Sequence, residues 1–236
     1  MIFPQPLVEA RLLRRRQRFL ADVAFADGSQ ATAHCPNTGS MLGCAEPGSR
    51  VWLSRSDNPK RKYAHTWELV EAEPGVTVGI HTGRSNGLVA DAIRAGMPTP
   101  LSGYPRIDRE VRYGREGSRI DLLLSGEGQP DCYVEVKNVT AAVENGVALF
   151  PDARSERAVK HLRELMGMVE QGCRGAVVFC VQRLDVSQVR PADAIDPAYG
   201  STLRRALAAG VEAYALRARV SPASIELETP IPVFCP

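Results

Sequence analysis

The sequence predicts a mixed α/β protein in which a small β-barrel precedes a larger domain of helices and strands. Residues 1–80 show the two-residue periodicity of strands and almost no helical pattern. Residues 81–236 alternate between helical and strand patterns. A chain of 236 residues suits one large domain or two small ones. We therefore predict one domain over residues 1–80 and a second over residues 81–236.

Five short strands are predicted in the first domain. Alternating apolar residues indicate a hairpin over residues 19–35, with Asp27 and Gly28 in its turn. The other strands are predicted at residues 7–13, 50–54 and 63–70. Five short strands in about 75 residues are typical of a small closed barrel of the oligonucleotide/oligosaccharide-binding (OB) type. Pro74 and Gly75 are interpreted as the end of this region.

The second domain is predicted to run in the order α, β, β, β, α, β, α, β. Asn86 is expected to cap its first helix. The second helix begins near Asp152 or Ser155, and the third has Asp196 as its N-cap and Pro197 as its first helical residue. Strands are predicted at residues 110–113, 120–124, 132–136, 175–181 and from residue 211. This alternation is typical of a sheet covered by helices.

Composition argues against several classes of protein. The longest apolar runs, residues 120–124 and 176–181, are far shorter than the roughly 18 residues of a membrane helix. The start of the chain has prolines and arginines instead of an apolar leader, so we expect a cytoplasmic protein. The 6 cysteines include no C-x-x-C pair, and no two histidines lie four residues apart, which argues against a zinc site.

The basic residues of the first domain are clustered, although the net charge of the chain is only +2. Two such clusters in one small domain favour contacts with phosphates, although a run of surface arginines is usually a solvated face. The first cluster is Arg11, Arg14, Arg15, Arg16 and Arg18, and the second is Arg50, Arg55, Lys60, Arg61 and Lys62. We predict all of them except Arg50 as nucleic-acid contacts, and because no helix-turn-helix or zinc-finger signature is present, we expect no strong sequence specificity.

The hairpin over residues 120–137 brings two acidic side chains together. If its turn is centred on Gly128, paired positions sum to 256 and Asp121 lies opposite Glu135. Alternation then places Asp121, Glu135 and Lys137 on one face, with the Cβ atoms of the opposed acids about 4.5 to 5.5 Å apart. The core face is predicted to carry Ile120, Leu122, Leu124, Cys132, Val134 and Val136. Opposed like charges are destabilising, so a positive group is expected between the carboxylates.

That positive group is either Lys137 or a divalent cation. Mg²⁺ or Mn²⁺ held by Asp121 and Glu135 would polarise a phosphoryl oxygen, while Lys137 orients water or stabilises developing charge. We therefore predict Asp121, Glu135 and Lys137 as catalytic residues for phosphodiester hydrolysis, with the first two as metal ligands. Nearly all of the 29 basic residues of the chain are Arg. The Lys at position 137 therefore indicates that a compact ammonium group is needed there instead of a guanidinium. A solvated salt-bridged sheet face is the alternative.

Three further side chains are accessory candidates for the same site. Glu110, on the preceding strand, would supply another carboxylate. Lys160 and His161, early in the next helix, would reach a phosphate. Each also has a simpler interpretation, because Glu110 fits a solvated strand position and Lys160 an ordinary helical pair with Glu156.

Five short segments resemble the sugar fermentation stimulation protein A (SfsA) family. They are residues 34–39, 118–121, 134–140, 150–153 and 160–162. The strand order with Asp121 and then Glu135-x-Lys137 also resembles the restriction-endonuclease-like nucleases, whose signature is written PD-(D/E)XK. The resemblance covers essentially the whole chain and implies a DNA-binding protein with an OB-like barrel and a nuclease-like domain. Ser155 to Ala158 depart from the Thr-x-Arg-Gly that the family commonly shows.

The sequence leaves three functions open. The first is a metal-dependent nuclease whose barrel grips DNA and whose hairpin cuts it. The second is a DNA-binding regulator of sugar metabolism genes that uses the same fold without turnover. The third is a binder of sugars or other small ligands, which OB barrels also accommodate. The residues favour DNA binding with a Mg²⁺-binding second domain and leave cleavage itself undecided.

Overall fold

The computed structural model describes residues 1–144 and 146–236 and has the predicted mixed α/β architecture. The first six strands are β1 (Val8–Arg16), β2 (Leu20–Ala24), β3 (Gln30–His34), β4 (Arg50–Arg55), β5 (His65–Glu73) and β6 (Val76–Gly79). They form one sheet in the order β3-β2-β1-β4-β5-β6. A parallel contact between His34 and Thr66 joins β3 to β5 and closes the first five strands into a barrel. The predicted OB-like barrel is therefore confirmed.

The sequence predicted that the barrel ends at Pro74 and Gly75, but the chain stays in the barrel sheet beyond them. Gly75 has a φ of +81°, and it turns β5 back into β6, which extends the same sheet. A tight turn and a linker share the same Pro-Gly signal, so composition alone did not separate them. The barrel encloses apolar side chains that alternate along its strands, among them Leu12, Val23 and Trp67.

The second part of the chain contains three helices and a mixed sheet within the described residues. Its elements are α1 (Ser85–Arg94), β7 (Arg106–Tyr113), β8 (Ser118–Ser125), β9 (Cys132–Val139), β10 (Ala142–Glu144), β11 (Val147–Phe150), α2 (Glu156–Glu170), β12 (Arg174–Val181), β13 (Gln188–Pro191), α3 (Pro197–Ala208), β14 (Glu212–Val220) and β15 (Ile225–Ile231). The main sheet has the order β15-β14-β12-β9-β8-β7. Strands β9, β12 and β14 are parallel, and both edges are antiparallel.

Helices cover both faces of this sheet. Leu88 and Val89 of α1 pack on one face, and Leu162 of α2 and Leu203 of α3 pack on the other. None of the helices in the described residues is long and apolar enough to cross a membrane. The short strands β10, β11 and β13 form a separate small sheet that the sequence did not predict, because three or four residues carry too little periodicity.

The cap of α3 is as predicted, and α2 begins after Ser155, one of its two predicted starts, whereas the cap of α1 is not as predicted. Ser155 accepts a hydrogen bond from the Ala158 amide, and Asp196 accepts one from the Tyr199 amide. The N-cap of α1 is Arg84, which makes no side-chain capping bond. Asn86 lies inside the first turn of α1, and its side chain is directed at Asp121 instead.

The predicted hairpin register is confirmed up to the catalytic candidates and then changes. Leu122 pairs with Val134 and Leu124 with Cys132, as the sum of 256 requires. The ladder between β8 and β9 ends at Leu122 within the described residues, so Asp121 is not paired with Glu135 in the sheet. Strand β8 leaves β9 at this point.

Ile120 was predicted on the same face as Leu122, and this is wrong. Leu122 packs under α1, whereas Ile120 packs with Tyr113 in the core beside α2. The paired strand β7 has its own irregularity at the same level, because Glu110 adopts a left-handed φ of +55°. Both strands therefore reverse their faces at the same level. Beyond Glu110 and Asp121, the side chains that would have faced α1 face α2 instead.

The segment beyond this reversal, residues 109–121, is called the arm. It continues the β7–β8 pairing past the edge of β9 and lies on α2. The buried carboxylate of Glu164 accepts hydrogen bonds from the amides of Arg115 (2.9 Å) and Glu116 (2.7 Å) at the tip of the arm. Lys160 donates to the carbonyl of Glu116 at 2.7 Å. Helix α2 thus anchors both the apolar face and the tip of the arm.

Substituting Gly114 with Ala should destabilise the protein more than substituting Gly117. Both glycines have a left-handed φ, +70° and +68°, so a Cβ costs about 1 to 2 kcal/mol at either site. A Cβ at Gly114 would also lie 2.1 Å from the Glu164 carboxylate, whereas at Gly117 nothing is within 4 Å. Losing the Glu164 bonds adds about 1 to 3 kcal/mol. Urea denaturation of the two variants measures the difference, and equal losses would contradict the anchoring role of Glu164.

Candidate active site between the barrel and the second domain

Three of the segments that carry the family resemblance meet at one cleft. The barrel contributes the loop of Asn37, Thr38 and Gly39, β9 contributes Lys137, and the segment after β11 contributes Asp152. The cleft has a volume of about 360 Å³ and is also lined by Ser85, Asn86, Val136, Asn138, Thr140, Ala141, Leu149, Phe150, Ser155 and Thr82. Segments that are far apart in the sequence therefore form a single polar site.

Two charged residues hold the barrel loop in place. Asp152 accepts hydrogen bonds from the amide of Met41 (3.0 Å) and the hydroxyl of Ser40 (3.2 Å). Gly39 passes so close that a Cβ there would lie 2.6 Å from the Asp152 carboxylate. On the other side, Arg15 donates from Nη2 to the carbonyls of Asn37 and Gly39, both at 2.8 Å. Asp152 thus joins the second domain to the barrel.

Glu135 is the most enclosed charge of the site, with 3% of its surface exposed. Its Oε1 accepts a hydrogen bond from Lys137 Nζ at 2.7 Å and also contacts Nδ1 of His161. Burial alone would raise the pKa of Glu135, but the Lys137 ammonium and the His161 hydrogen bond outweigh it and hold that pKa below its ordinary value. Glu135 is therefore ionised, and its Oε2 is buried with no hydrogen-bond partner among the described atoms.

His161 is positioned by Arg157, one turn earlier on α2. The guanidinium Nε of Arg157 donates to Nε2 of His161 at 3.4 Å, so that nitrogen acts as an acceptor. Nδ1 must then carry the proton that His161 donates to Glu135. The predicted accessory residue His161 is at the site, but it is buried and orients Glu135.

Asp121 lies beside Glu135 where β8 and β9 separate. Its Oδ1 accepts from Asn86 Nδ2 at 2.9 Å, and its Oδ2 accepts from the Val136 amide at 2.7 Å. Burial, and then the negative charge of Glu135, raise the pKa of Asp121 to about 6. The two carboxylates thus repel each other, as predicted, although they converge through the separation of the strands and not as a ladder pair.

These residues fit a hard divalent cation. Mg²⁺ is commonly bound by one or two carboxylates, with water and phosphate oxygens in its other positions. Glu135 Oε2 lacks a partner among the described atoms, and Asp121 is a second oxygen donor at a site with excess negative charge. The described residues contain no group of three or more His, Cys, Asp or Glu able to hold a metal. An ion here would therefore depend on Asp121 and Glu135.

Of the other accessory candidates, Lys160 lies away from the carboxylates and Glu110 is exposed. Lys160 is directed to the arm tip, where it binds the carbonyl of Glu116. Glu110 is exposed on β7, between residues that pair with Ile120 and Leu122, so it lies level with Asp121. Sequence reasoning missed Asn86, which it assigned to a helix cap. An amide inside the first turn of a helix is also suited to a neighbouring carboxylate, but only the packing of α1 on β8 identifies that partner.

Several of the predicted DNA-contacting residues are engaged within the barrel. Arg14 and Arg16 both bind Asp22, at 2.9 and 3.0 Å. Arg15 holds the loop at the cleft, as described above. Arg11 donates to the Gly48 carbonyl, and Arg61 donates to the Thr66 hydroxyl. The exposed members of the two clusters that make no side-chain hydrogen bond or ion pair with the described residues are Arg18, Arg55, Lys60 and Lys62.

Comparisons with known proteins match both parts of the chain. Residues 13–80 match the family model described as the SfsA N-terminal OB domain, and residues 83–224 match the sugar fermentation stimulation protein RE domain. The sugar fermentation stimulation protein homolog of Alkalilimnicola ehrlichii is 61% identical over 100% of both chains. That of Thioalkalivibrio sulfidiphilus is 64% identical over 97% of this chain and 95% of its own.

The chain is also similar to a solved structure, that of Pyrococcus furiosus SfsA in complex with Ca²⁺. The two share 27% sequence identity and superpose with a TM-score of 0.89. The match covers 99% of this chain and 98% of the other. Both the barrel and the second domain are therefore shared with that protein.

The contribution of Asp121 to the stability of the metal-free protein should fall as the pH rises from about 4 to about 6. Folded Asp121 titrates near 6 and its ordinary pKa is 3.8, so the folded state holds a proton that the unfolded state has lost. The contribution of this one group to the free energy of unfolding then decreases over this range by up to about 3 kcal/mol. Asp121→Asn should reduce this decrease, whereas Asp131→Asn at an exposed position should not. Urea denaturation in chelator at several pH values measures it, and an unchanged profile for Asp121→Asn would be contrary to this assignment.

Arg15 and Arg18 should behave differently when each is replaced by Gln. Arg15→Gln removes charge-assisted bonds to the carbonyls of Asn37 and Gly39, so it should lower the free energy of unfolding by about 2 to 4 kcal/mol. Arg18→Gln removes an exposed side chain and should change it by less than about 0.5 kcal/mol. Thermal and urea denaturation compare the two, and a loss for Arg15→Gln no larger than that for Arg18→Gln would refute the structural role of Arg15.

Proposed function

Because the chain belongs to the sugar fermentation stimulation protein family, we propose that it binds DNA and hydrolyses phosphodiester bonds with Mg²⁺ or Mn²⁺. The observation that carries this proposal is the buried, unpartnered Oε2 of ionised Glu135 beside Asp121, among the described residues. Two carboxylates that repel each other are suited to a cation, and their hydrogen-bond partners Asn86, Val136 and Lys137 line the polar cleft. The cation would neutralise both and leave open positions for phosphate oxygens.

Two independent findings support this proposal. The similar Pyrococcus furiosus protein was solved in complex with Ca²⁺, a hard cation that takes oxygen ligands as Mg²⁺ does. The first domain matches an OB-domain model, and OB barrels bind oligonucleotides along their strands. A nucleic-acid-binding barrel beside a carboxylate pair suits a nuclease.

The side chains of the site would then have distinct roles. Asp121 and Glu135 would hold the cation, which when bound polarises a phosphoryl oxygen and lowers the pKa of a bound water. Asn86 and the Val136 amide orient Asp121, and His161 orients Glu135. These contacts keep both carboxylates in one arrangement and reduce reorganisation at the moment of reaction.

Lys137 would supply the positive charge that acts on the phosphate. Its ammonium is bound to Glu135 and also lines the cleft, where a phosphate would lie. From this position it stabilises negative charge on the phosphate or orients the attacking water. A guanidinium is larger and planar, so an Arg at this position would not match the compact Lys137–Glu135 contact.

The DNA would be held by charge on the barrel as well as by the site. Arg18, Arg55, Lys60 and Lys62 are exposed and make no ion pair with the described residues. Such residues displace counterions from phosphates, so binding should weaken steeply with salt. The engaged residues Arg14, Arg15 and Arg16 contribute less, because each would have to leave its present partner.

A second candidate function is a DNA-binding regulator that does not cleave. Lys137 already neutralises the charge of Glu135, and His161 donates a hydrogen bond to the same oxygen, as they would in a site that needs no cation. The hydroxyls of Tyr113 and Tyr199, whose pKa values are raised by burial and by the charge of Glu135, also lack partners among the described atoms. A buried water shared by these groups would satisfy Glu135 Oε2 equally well.

Cleavage assays with single- and double-stranded DNA test the proposal. Hydrolysis should require Mg²⁺ or Mn²⁺, stop in chelator and fall by about 10²- to 10⁴-fold in Asp121→Asn and in Lys137→Met. Arg94→Met is the control, because Arg94 is exposed on α1 and its guanidinium pairs with Asp91, away from the carboxylates. The cation should also raise the melting temperature of the wild type and of Lys137→Met, but not that of Asp121→Asn.

The possible outcomes have different consequences for the two functions. DNA binding without cleavage under any cation, and without a cation-dependent rise in melting temperature, would favour the regulator. Cleavage that persists in Asp121→Asn would point to a contaminating nuclease and remove the support for this site. The absence of both cleavage and DNA binding would overturn both candidate functions.

A further inference from the structure

From the structure we infer a second DNA-contacting surface, which the basic clusters of the barrel do not include. It consists of Arg109, Arg112 and Arg119 on the arm, and its ligand is the sugar-phosphate backbone of DNA that leads to Asp121. The inference rests on the proposed function, because it places the substrate of that site. The surface lies outside the two basic clusters that the sequence predicts as phosphate contacts.

The arm has one apolar face and one arginine face. Val111, Tyr113 and Ile120 pack towards the core beside α2. Side chains alternate along a strand, so Arg112 and Arg119, which flank these apolar residues, are directed away from α2. Both arginines are exposed. The reversal of the strand faces at Glu110 therefore buries the apolar residues against α2 and exposes the arginines to solvent.

Arg112 and Arg119 are directly opposed in the β7–β8 ladder. Like charges at directly opposed positions of an antiparallel pair are destabilising. Neither guanidinium has a carboxylate within 4 Å among the described side chains, although nearby Arg106 pairs with Asp108 and Arg163 with Glu116. Unpaired opposed arginines on an exposed face are suited to an external anion that bridges them.

Arg109 connects this pair to the active site. It pairs with Leu122, which packs under α1, so its side chain lies on the α1 side of the sheet. Its Nη2 is 3.9 Å from the position that a Cβ on Gly87 would occupy. Gly87 follows Asn86, the residue that binds Asp121. The basic surface therefore reaches the N-terminal turn of α1 at the edge of the carboxylate pair.

The spacing and chemistry of the three arginines suit a phosphate backbone. Guanidinium groups bind phosphate through two parallel N–H donors and remain charged at any physiological pH. Arg112 lies directly opposite Arg119, and Arg109 precedes Arg112 on the same strand, so the three charges follow one another along the hairpin. An acidic protein would also be attracted, but it would not explain why the surface ends at a site for phosphodiester hydrolysis.

The unpaired state of the arm arginines contrasts with the barrel. Arg14 and Arg16 share Asp22, and Arg15 is bound to backbone carbonyls, so these side chains are committed to the fold. The arm arginines are free of such bonds among the described residues. A ligand can therefore bind them without breaking an internal contact, which favours the arm over the first basic cluster as a phosphate surface.

Fluorescence anisotropy with a labelled DNA duplex in chelator tests this surface in the full-length protein. The triple variant Arg109→Gln, Arg112→Gln, Arg119→Gln should bind about 100-fold more weakly at low salt. The slope of log affinity against log salt should fall by about 0.9 for each lost phosphate contact, or about 2 to 3 in all. The matched control is Arg94→Gln, Arg190→Gln, Arg219→Gln, which removes the same charge from exposed arginines on other elements and should retain most of the affinity.

Thermal denaturation accompanies the binding assay. The melting temperature of the arm variant should not fall, because the substitution removes opposed like charges and leaves the apolar face on α2 intact. An arm variant that binds DNA like the wild type, while loss of Arg18, Arg55, Lys60 and Lys62 abolishes binding, would overturn the inference and leave the proposed function standing. Equal losses in the arm variant and its control would overturn it as well. A wild-type protein that binds no DNA would refute the proposed function and the inference together.

Discussion

The structure of the site depends on one buried carboxylate, that of Glu135. A buried ion is costly unless it is paired and hydrogen-bonded, and Glu135 takes its partners from two different elements. Lys137 comes from the same strand, whereas His161 comes from α2 and is itself held by Arg157. Helix α2 must therefore dock on β9 with its N-terminal turns beside Glu135. The same docking provides Glu164 for the tip of the arm, so the site and the arm share one support.

The separation of β8 from β9 at Asp121 has two consequences. It leaves the Val136 amide without a ladder partner on β8, so this amide donates its hydrogen bond to the side chain of Asp121 instead. It also releases residues 109–121 from the plane of the sheet, so that their apolar side chains can turn onto α2. The opening that a substrate needs and the basic surface that would guide it thus follow from a single departure from regular pairing. Irregular strands near active sites commonly have this effect of redirecting side chains.

Much of the fold could be predicted because its signals are local. The alternation of apolar residues identified the first five strands, and the turn at Gly128 set the register of Leu122 and Leu124 correctly. The prediction failed where a residue has two suitable partners. Asn86 suits a helix cap and also a carboxylate, and a Pro-Gly pair suits a hairpin as well as a linker. Ile120 was predicted on the wrong face because alternation assumes an unbroken strand. The reversal of the strand faces at Glu110 cannot be recognised from the residue types.

The sequence by itself determined which acidic and basic residues share the hairpin, because strand periodicity and turn position are properties of neighbouring residues. Only the tertiary structure decided which charges are committed to the fold and which remain free. Arg15 and Arg112 look alike in the sequence, yet Arg15 is bound to the carbonyls of Asn37 and Gly39, while Arg112 faces solvent opposite Arg119. The reason is that a charge finds its partner across the fold, on strands and loops far away in the chain, where no local pattern records the contact.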